Sequence, residues 1–247
     1  MNIAIETCEN DEVYDAVNLN LINSELDKLY QYTDVLTQKF IGKDKVTIRQ
    51  VVNNNDLYLL SEARKIIYKK HASYFSQFYD KDYYIDEKDY SSYLFACYYQ
   101  GEIIGTQRIA TYPFEVSKFI EHEDLCQFLG DDYQDTYIEF SRLAVNSDYG
   151  LGKGVAHALN VVSGILVGMS INRSKYITYS KPQLKRQAAN FGSDVITFTI
   201  KERENEQYEL YKSDILMGLS QLLAIPKEPH LSLYDSIKNV MMNDKWS

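Results

Sequence analysis

Cysteine is scarce in this chain. Cys8, Cys97 and Cys126 are the only three in 247 residues, at unrelated spacings and with no C-x-x-C. An odd, scattered set excludes a disulfide framework and a cysteine zinc site. His71, His122, His157 and His230 are far apart and lack metal-ligand spacing, and His157 falls in a buried helix pattern where it reads as a helix residue rather than a base. No stretch of about eighteen apolar residues occurs, so no transmembrane helix is legible. Residues Met1 to Asn10 lack a basic segment followed by an apolar one, which sets the expectation of no secretory signal and a cytoplasmic protein. An excess of positive charge is missing too: the formal net charge of −9 argues against general nucleic-acid binding, which needs a basic face. Low-complexity runs and internal repeats are also absent.

What remains is an ordinary globular composition, 45% hydrophobic and 25% charged, able to bury one large core. Its centre is a single stretch. Tyr137 to Val145 is apolar and β-branched, glycines follow at 150, 152 and 154, and an apolar helical pattern begins at Val155 and runs to about Ile171. Strand, glycine loop and helix in that order make a seat for an anion. The glycines let the backbone turn and present its N–H groups, and the positive end of the helix lies behind them.

In chain order, Asp11 to Phe40 carries loosely helical apolar spacing, Lys45 to Val52 alternates as a strand, and Leu57 to about Lys70 forms a helix with Leu60, Ala63 and Ile67 on one stripe. Tyr93 to Tyr99 and Glu102 to Ala110, joined by Gln100-Gly101, read as a hairpin. A loop with a short helix over Val116 to Leu129 precedes the central strand. Tyr176 to Tyr179 is a strand, Gln183 to Phe191 a helix framed by Pro182 and Gly192, and Val195 to Lys201 with Tyr208 to Lys212 a closing hairpin around a charged Glu202 to Glu206 turn. The last thirty residues, broken by Pro226 and Pro229, read as terminal helices. The organisation expected is an N-terminal helical extension over 1–44, a core over 45–215 and a C-terminal helical extension over 216–247. The apolar stripes of 1–42 are expected to pack on the core and cover a pocket.

This order of elements resembles the GCN5-related N-acetyltransferase fold, an α/β architecture with a mixed, mostly antiparallel sheet flanked by helices. Gly152 and Gly154 match that superfamily's pyrophosphate loop, while Tyr149 stands where it has Gln or Arg. A second set of residues narrows the resemblance. Arg64, Asp86 and Asp89 as D-x-x-D, Arg108, and Glu139 with Arg142 as E-x-x-R resemble the charged signature of acyl-homoserine-lactone synthases and the related long-chain N-acyl amino acid synthases. The glycine loop fits the N-acyl amino acid branch better. The tryptophan typical of lactone synthases is replaced by Tyr74 or Phe75.

The resemblance implies an N-acyltransferase that moves a fatty acyl group from acyl carrier protein or acyl coenzyme A to the amine of an amino acid or related small amine. It implies no tightly bound cofactor and no metal, with the acyl-phosphopantetheine thioester as co-substrate. Glu139 would accept the amine proton and Arg142 would assist; Arg64, Asp86, Asp89 and Arg108 would contact substrate. The pantetheine arm would follow Leu143, Ala144 and Val145, with its phosphate at Gly150, Gly152, Lys153 and Gly154. Two alternatives stay open: a short-chain acetyl-coenzyme A enzyme acting on a small amine or protein lysine, and a non-catalytic binding module.

Each charged residue also has a plain structural reading. Three-residue spacing puts Glu139 and Arg142 on opposite faces of a strand unless a bulge intervenes. Asp86 and Asp89 fit a helix start, and the arginines fit partners for buried acids. Finally, 149–193 holds no acid but six basic residues, Lys153, Arg173, Lys175, Lys181, Lys185 and Arg186, in a chain that is acidic overall. That asymmetry suggests a landing face for an acidic acyl carrier protein, with Arg173, Lys175, Lys181, Lys185 and Arg186 as the docking residues.

Overall fold

Five helices and seven strands follow one another in the computed structural model, which describes residues 26–42, 46–71, 83–182, 194–203 and 205–215, with the single residues 235 and 239. They are α1 (Leu26–Ile41), β1 (Val46–Gln50), α2 (Asn54–His71), β2 (Ser92–Tyr99), β3 (Glu102–Ala110), α3 (His122–Leu129), α4 (Tyr133–Thr136), β4 (Tyr137–Val145), α5 (Gly152–Ser170), β5 (Lys175–Ser180), β6 (Ile196–Ile200) and β7 (Glu206–Asp214). The strands form one sheet in the order β1-β2-β3-β4-β5-β7-β6. Every neighbouring pair is antiparallel except β4 and β5. This is the mixed, mostly antiparallel sheet flanked by helices expected from the sequence.

The β2–β3 hairpin forms because two β-rich runs flank Gln100-Gly101, both of which adopt positive φ. Nearly all of β2 is buried, because helices cover both faces of the sheet there. On one face lies α5. Its Val155, Ala158, Leu159, Val162, Ile165, Leu166 and Met169 pack with Ile138 and Phe140 of β4 and with Leu29, Tyr32 and Leu36 of α1 in the main hydrophobic cluster. Each fully buried Val, Leu or Ile side chain among these contributes about 1.5–3 kcal/mol. The helix sits close to the sheet: a Cβ on Gly164 would meet the Phe140 ring at 2.8 Å, and one on Gly105 would meet Val155 at 2.7 Å. The described part of the N-terminal segment is thus built into the core through α1.

The other face is covered in two parts. Leu57 and Leu60 of α2 pack on Leu94 and Ala96 of β2, while Leu125 and Leu129 of α3 join Ile177, Phe198, Tyr208 and Leu210 of the far strands. Between these two apolar clusters lie the charged residues. Two boundaries differ from the sequence reading. The segment from Val116 begins as a 3-10 turn (Val116–Lys118), and its helix starts only at His122. α5 starts inside the glycine loop at Gly152. Arg203, in the charged turn after β6, is buried at 6% exposure. The helix read over Gln183 to Phe191, and the C-terminal extension apart from 235 and 239, lie outside the described residues.

Candidate active site

Four arginines and four carboxylates meet on the sheet face opposite α5. Arg64 comes from α2, Asp86 and Asp89 from a 3-10 turn (Glu87–Ser91) before β2, and Arg108 from β3. Glu115 comes from the loop after β3, Glu139 and Arg142 from β4, and Arg203 from the turn between β6 and β7. The turn forms because Asp86 caps it. Its side chain accepts from the Asp89 N–H at 3.1 Å, and the Asp89 carboxylate accepts from the Asp86 N–H at 2.9 Å. This reciprocal capping box leaves both aspartates with oxygens free for guanidinium groups.

Arg64 takes Asp89 in a two-pronged ion pair, at 2.6 and 3.2 Å, with both side chains wholly buried. Arg108 reaches Asp86 at 2.7 Å and Asp89 at 3.4 Å, meets Glu115 with its other terminal nitrogen, and donates from Nε to Ser141 Oγ at 3.0 Å. Arg142 bridges Asp86 and Glu115, both at 2.9 Å. Burial alone would push the Asp89 carboxyl up, but the charges of Arg64 and Arg108 outweigh it and bring it down to about 2. Asp86 and Asp89 are therefore both turn caps and ion-pair partners.

Glu139 and Arg142 share a face because the ladder slips between them. Arg108 pairs with Ser141 and Thr106 with Ala144, so one residue of β3 opposes two of β4, and Arg142 takes a left-handed φ of 54°. That bulge turns Arg142 toward Glu115 and Asp86.

Glu139 is fully buried. Its Oε2 accepts from the Glu115 N–H at 2.7 Å and its Oε1 from the Val116 N–H at 3.0 Å. Burial, then the charge of Glu115, pushes its carboxyl up to about 7, against the pull of the two N–H groups and Arg108. A carboxyl poised near neutrality can gain or lose a proton under ordinary conditions.

Next to Glu139 the sheet opens. β4 and β5 pair from Tyr137–Lys175 to Phe140–Thr178 and no further, although β4 continues to Val145 and β5 stays on β7 as far as Ser180–Glu209. The last rung carries an extra bond, from the Thr178 hydroxyl to the Phe140 carbonyl at 2.9 Å. Leu143, Ala144 and Val145 thus have a backbone edge without a β5 partner. Beyond them Gly150 adopts φ 68° and α5 begins with Gly152 and Lys153. Of the three glycines only Gly150 needs its conformational freedom. Gly154 is required for a different reason: a Cβ there would meet the Phe40 carbonyl at 3.0 Å and Ile41 Cα at 3.3 Å, at the end of α1. Tyr149, in the place of the superfamily's Gln or Arg, donates its hydroxyl to Glu102 and packs edge-on to Tyr99; Asp148 pairs with Lys70 of α2.

The structure therefore brings Arg64, Asp86, Asp89, Arg108, Glu139 and Arg142 together, and places Leu143 to Val145 and the glycine loop further along the same strand. It adds two residues that the sequence reading missed, Glu115 and Arg203, with Tyr179 and Tyr208 under the Arg203 guanidinium at 5.8 and 5.3 Å. The basic residues do not form one cluster of bare cations. Arg173 pairs with Asp135 at 3.4 Å, Lys181 with Glu206 at 2.5 Å, and Lys175 lies 5.5 Å over Tyr137. Lys185 and Arg186 lie outside the described residues. Among the described residues no group of three or more His, Cys, Asp or Glu could hold a metal ion, and no helix is long and apolar enough to cross a membrane.

The order of elements, the parallel pair that parts beside a glycine turn, and the helix that follows define a fold of the GCN5-related N-acetyltransferase type. The chain shares this arrangement with proteins of solved structure. It is similar to FeeM, an N-acyl amino acid synthase from uncultured soil microbes, with 16% identity over 73% of this chain and 96% of that one and a TM-score of 0.52. Two further similar structures are BjaI, a CoA-dependent acyl-homoserine lactone synthase (16% identity, 75% and 95% covered, TM-score 0.49), and the acyl-homoserine lactone synthase LasI (18% identity, 69% and 89% covered, TM-score 0.48). No protein-family model and no curated protein matches the sequence. At such identities the likeness is one of fold.

Proposed function

We propose that the protein is an N-acyltransferase that moves a fatty acyl group from an acyl-thioester, carried on acyl carrier protein or coenzyme A, to the amine of an amino acid or related small amine. The observation that carries this reading is the parting of β4 from β5 after the Phe140–Thr178 rung, immediately beside a buried carboxyl that titrates near neutrality. An extended arm can lie along the unpaired edge at Leu143 to Val145 and hydrogen-bond to its backbone as a β-strand would. A phosphate then falls at the glycine turn, where the N-terminus of α5 and Lys153 favour an anion.

An amine is protonated at neutral pH and cannot attack a thioester carbonyl until it loses that proton. Glu139 accepts it, directly or through one water, because each of its oxygens uses one acceptor site on a backbone N–H and keeps another. Attack forms the C–N bond, the C–S bond breaks, and the thiol leaves. Backbone N–H groups along the parted edge would be suited to the developing oxyanion. Arg142 and Arg108 stay paired with Asp86 and Glu115, which keeps the face beside Glu139 polar without leaving a bare buried charge. A carrier-protein donor would dock over Arg173, Lys175 and Lys181, with Lys185 and Arg186.

The test is to incubate the pure protein with acyl carrier proteins and acyl-coenzyme A thioesters of graded chain length, together with a mixture of amino acids, and read the products by mass spectrometry. Long-chain N-acyl products support the proposal. Acetylated products alone would replace it with a short-chain acetyltransferase, and no product with any donor would replace it with a binding module.

A further inference from the structure

Two carboxyl groups meet beside β4, and only one of them belongs to the strand. The backbone N–H of Glu115 is fixed on Glu139 at 2.7 Å, while the Glu115 side chain turns into three guanidinium groups: Arg108, Arg142 at 2.9 Å and Arg203 at 3.5 Å. Arg203 reaches it from the β6–β7 turn, so three separate parts of the sheet converge on this one side chain. Two neighbouring buried carboxylates do not ionise with equal ease, and the cations decide which of them does. Here the cations sit on Glu115.

We propose that Glu115 is a positioning residue for Glu139, aiming its carboxyl through a backbone hydrogen bond and placing a clamped negative charge beside it, so that Glu139 is the member of the pair that exchanges a proton. This rests on the reading of Glu139 as the proton acceptor. The charged groups around the pair come from several elements and act unequally on its two members. Arg142, Arg108 and Arg203 outweigh the upward push of burial on Glu115 and hold it below the usual carboxylate range. Glu139 faces Glu115 and the Val116 N–H from the loop, Arg108 from β3, Lys88 from the 3-10 turn before β2 and Tyr179 from β5. Burial, then the charge of Glu115, keeps the Tyr179 hydroxyl neutral, and Lys88, lowered by burial but drawn up by the charge of Glu139, is a cation that faces Glu139 from the turn.

The experiment follows the Glu139 carboxyl directly, by carbon-13 NMR or difference infrared titration, alongside the pH dependence of kcat. In Glu115→Gln the Glu139 titration should move down by about one pH unit, and the acid limb of kcat should move with it at unchanged donor KM. Glu115→Asp, which restores the charge, should move both back. Arg203→Gln, which strips a cation from Glu115, should move the titration up and serves if Glu115→Gln does not fold. An unmoved Glu139 titration in a folded variant overturns the proposal. A titration that moves as stated in a protein with no acyl-transfer activity supports the carboxyl pair and overturns the proposed function instead.

Discussion

Arg64 and Asp89 form a two-pronged ion pair, at 2.6 and 3.2 Å, in which neither side chain reaches solvent. It joins α2 to the turn before β2 and anchors the charged face from below. Removing one partner of such a pair strands the other in a low-dielectric interior and costs about 3–5 kcal/mol. Asp89→Asn and Arg64→Met should each destabilise the fold by about that much in denaturant melts. The double variant Arg64→Met/Asp89→Asn should cost clearly less than the sum of the single ones. Additive losses would show that the two residues do not act as a pair.

Opposite pH dependences follow from Asp89 and Glu139. Asp89 is lowered from 3.8 to about 2, so its stabilisation is present above about pH 4 and lost as pH falls toward 2. Glu139 is raised from 4.5 to about 7, so its contribution is present below about pH 4.5 and lost as pH rises through 7. Urea melts across pH should show Asp89→Asn flattening the acid slope, and Glu139→Gln flattening the slope between about pH 4.5 and 7. Wild-type slopes retained in both variants would contradict these assignments.

Two glycines of the loop should respond differently to alanine. Gly154→Ala presses a methyl group on the Phe40 carbonyl and the Ile41 backbone, and should cost about 1–3 kcal/mol through the α1–α5 contact. Gly150→Ala meets nothing within 4 Å but sits at φ 68°, and should cost about 1 kcal/mol through backbone strain. Thermal melts decide this; equal, small losses would remove Gly154 from the helix contact.

Much of this architecture is legible in the sequence. Alternating β-rich runs around Gln100-Gly101 give the hairpin, and the step from Tyr137–Val145 through glycines to an apolar helix gives β4 and α5. The charged face is legible only in part. Period-two alternation separates Glu139 from Arg142, and nothing local announces the bulge at Arg142 that reunites them. Glu115 follows a Tyr-Pro-Phe loop, and Arg203 sits among acids in a segment that reads as a charged turn. Both acquire meaning only when distant strands converge. Gly154 reads as a loop glycine because sequence does not show that the end of α1 packs against it.

The basic residues give a test of donor type. Reversing Arg173 and Lys175 to Glu should raise the apparent KM for an acyl carrier protein several-fold and slow association more at low salt, while a free acyl-pantetheine is affected less. Equal effects on both donors would place carrier-protein docking elsewhere.

The most direct test of acyl transfer through a Glu139 base is turnover of Glu139→Gln with an acyl-thioester and a saturating amine, measured beside thioester binding. The account predicts turnover lower by about two to four orders of magnitude, with donor binding nearly intact. Turnover equal to wild type in the folded variant would contradict it.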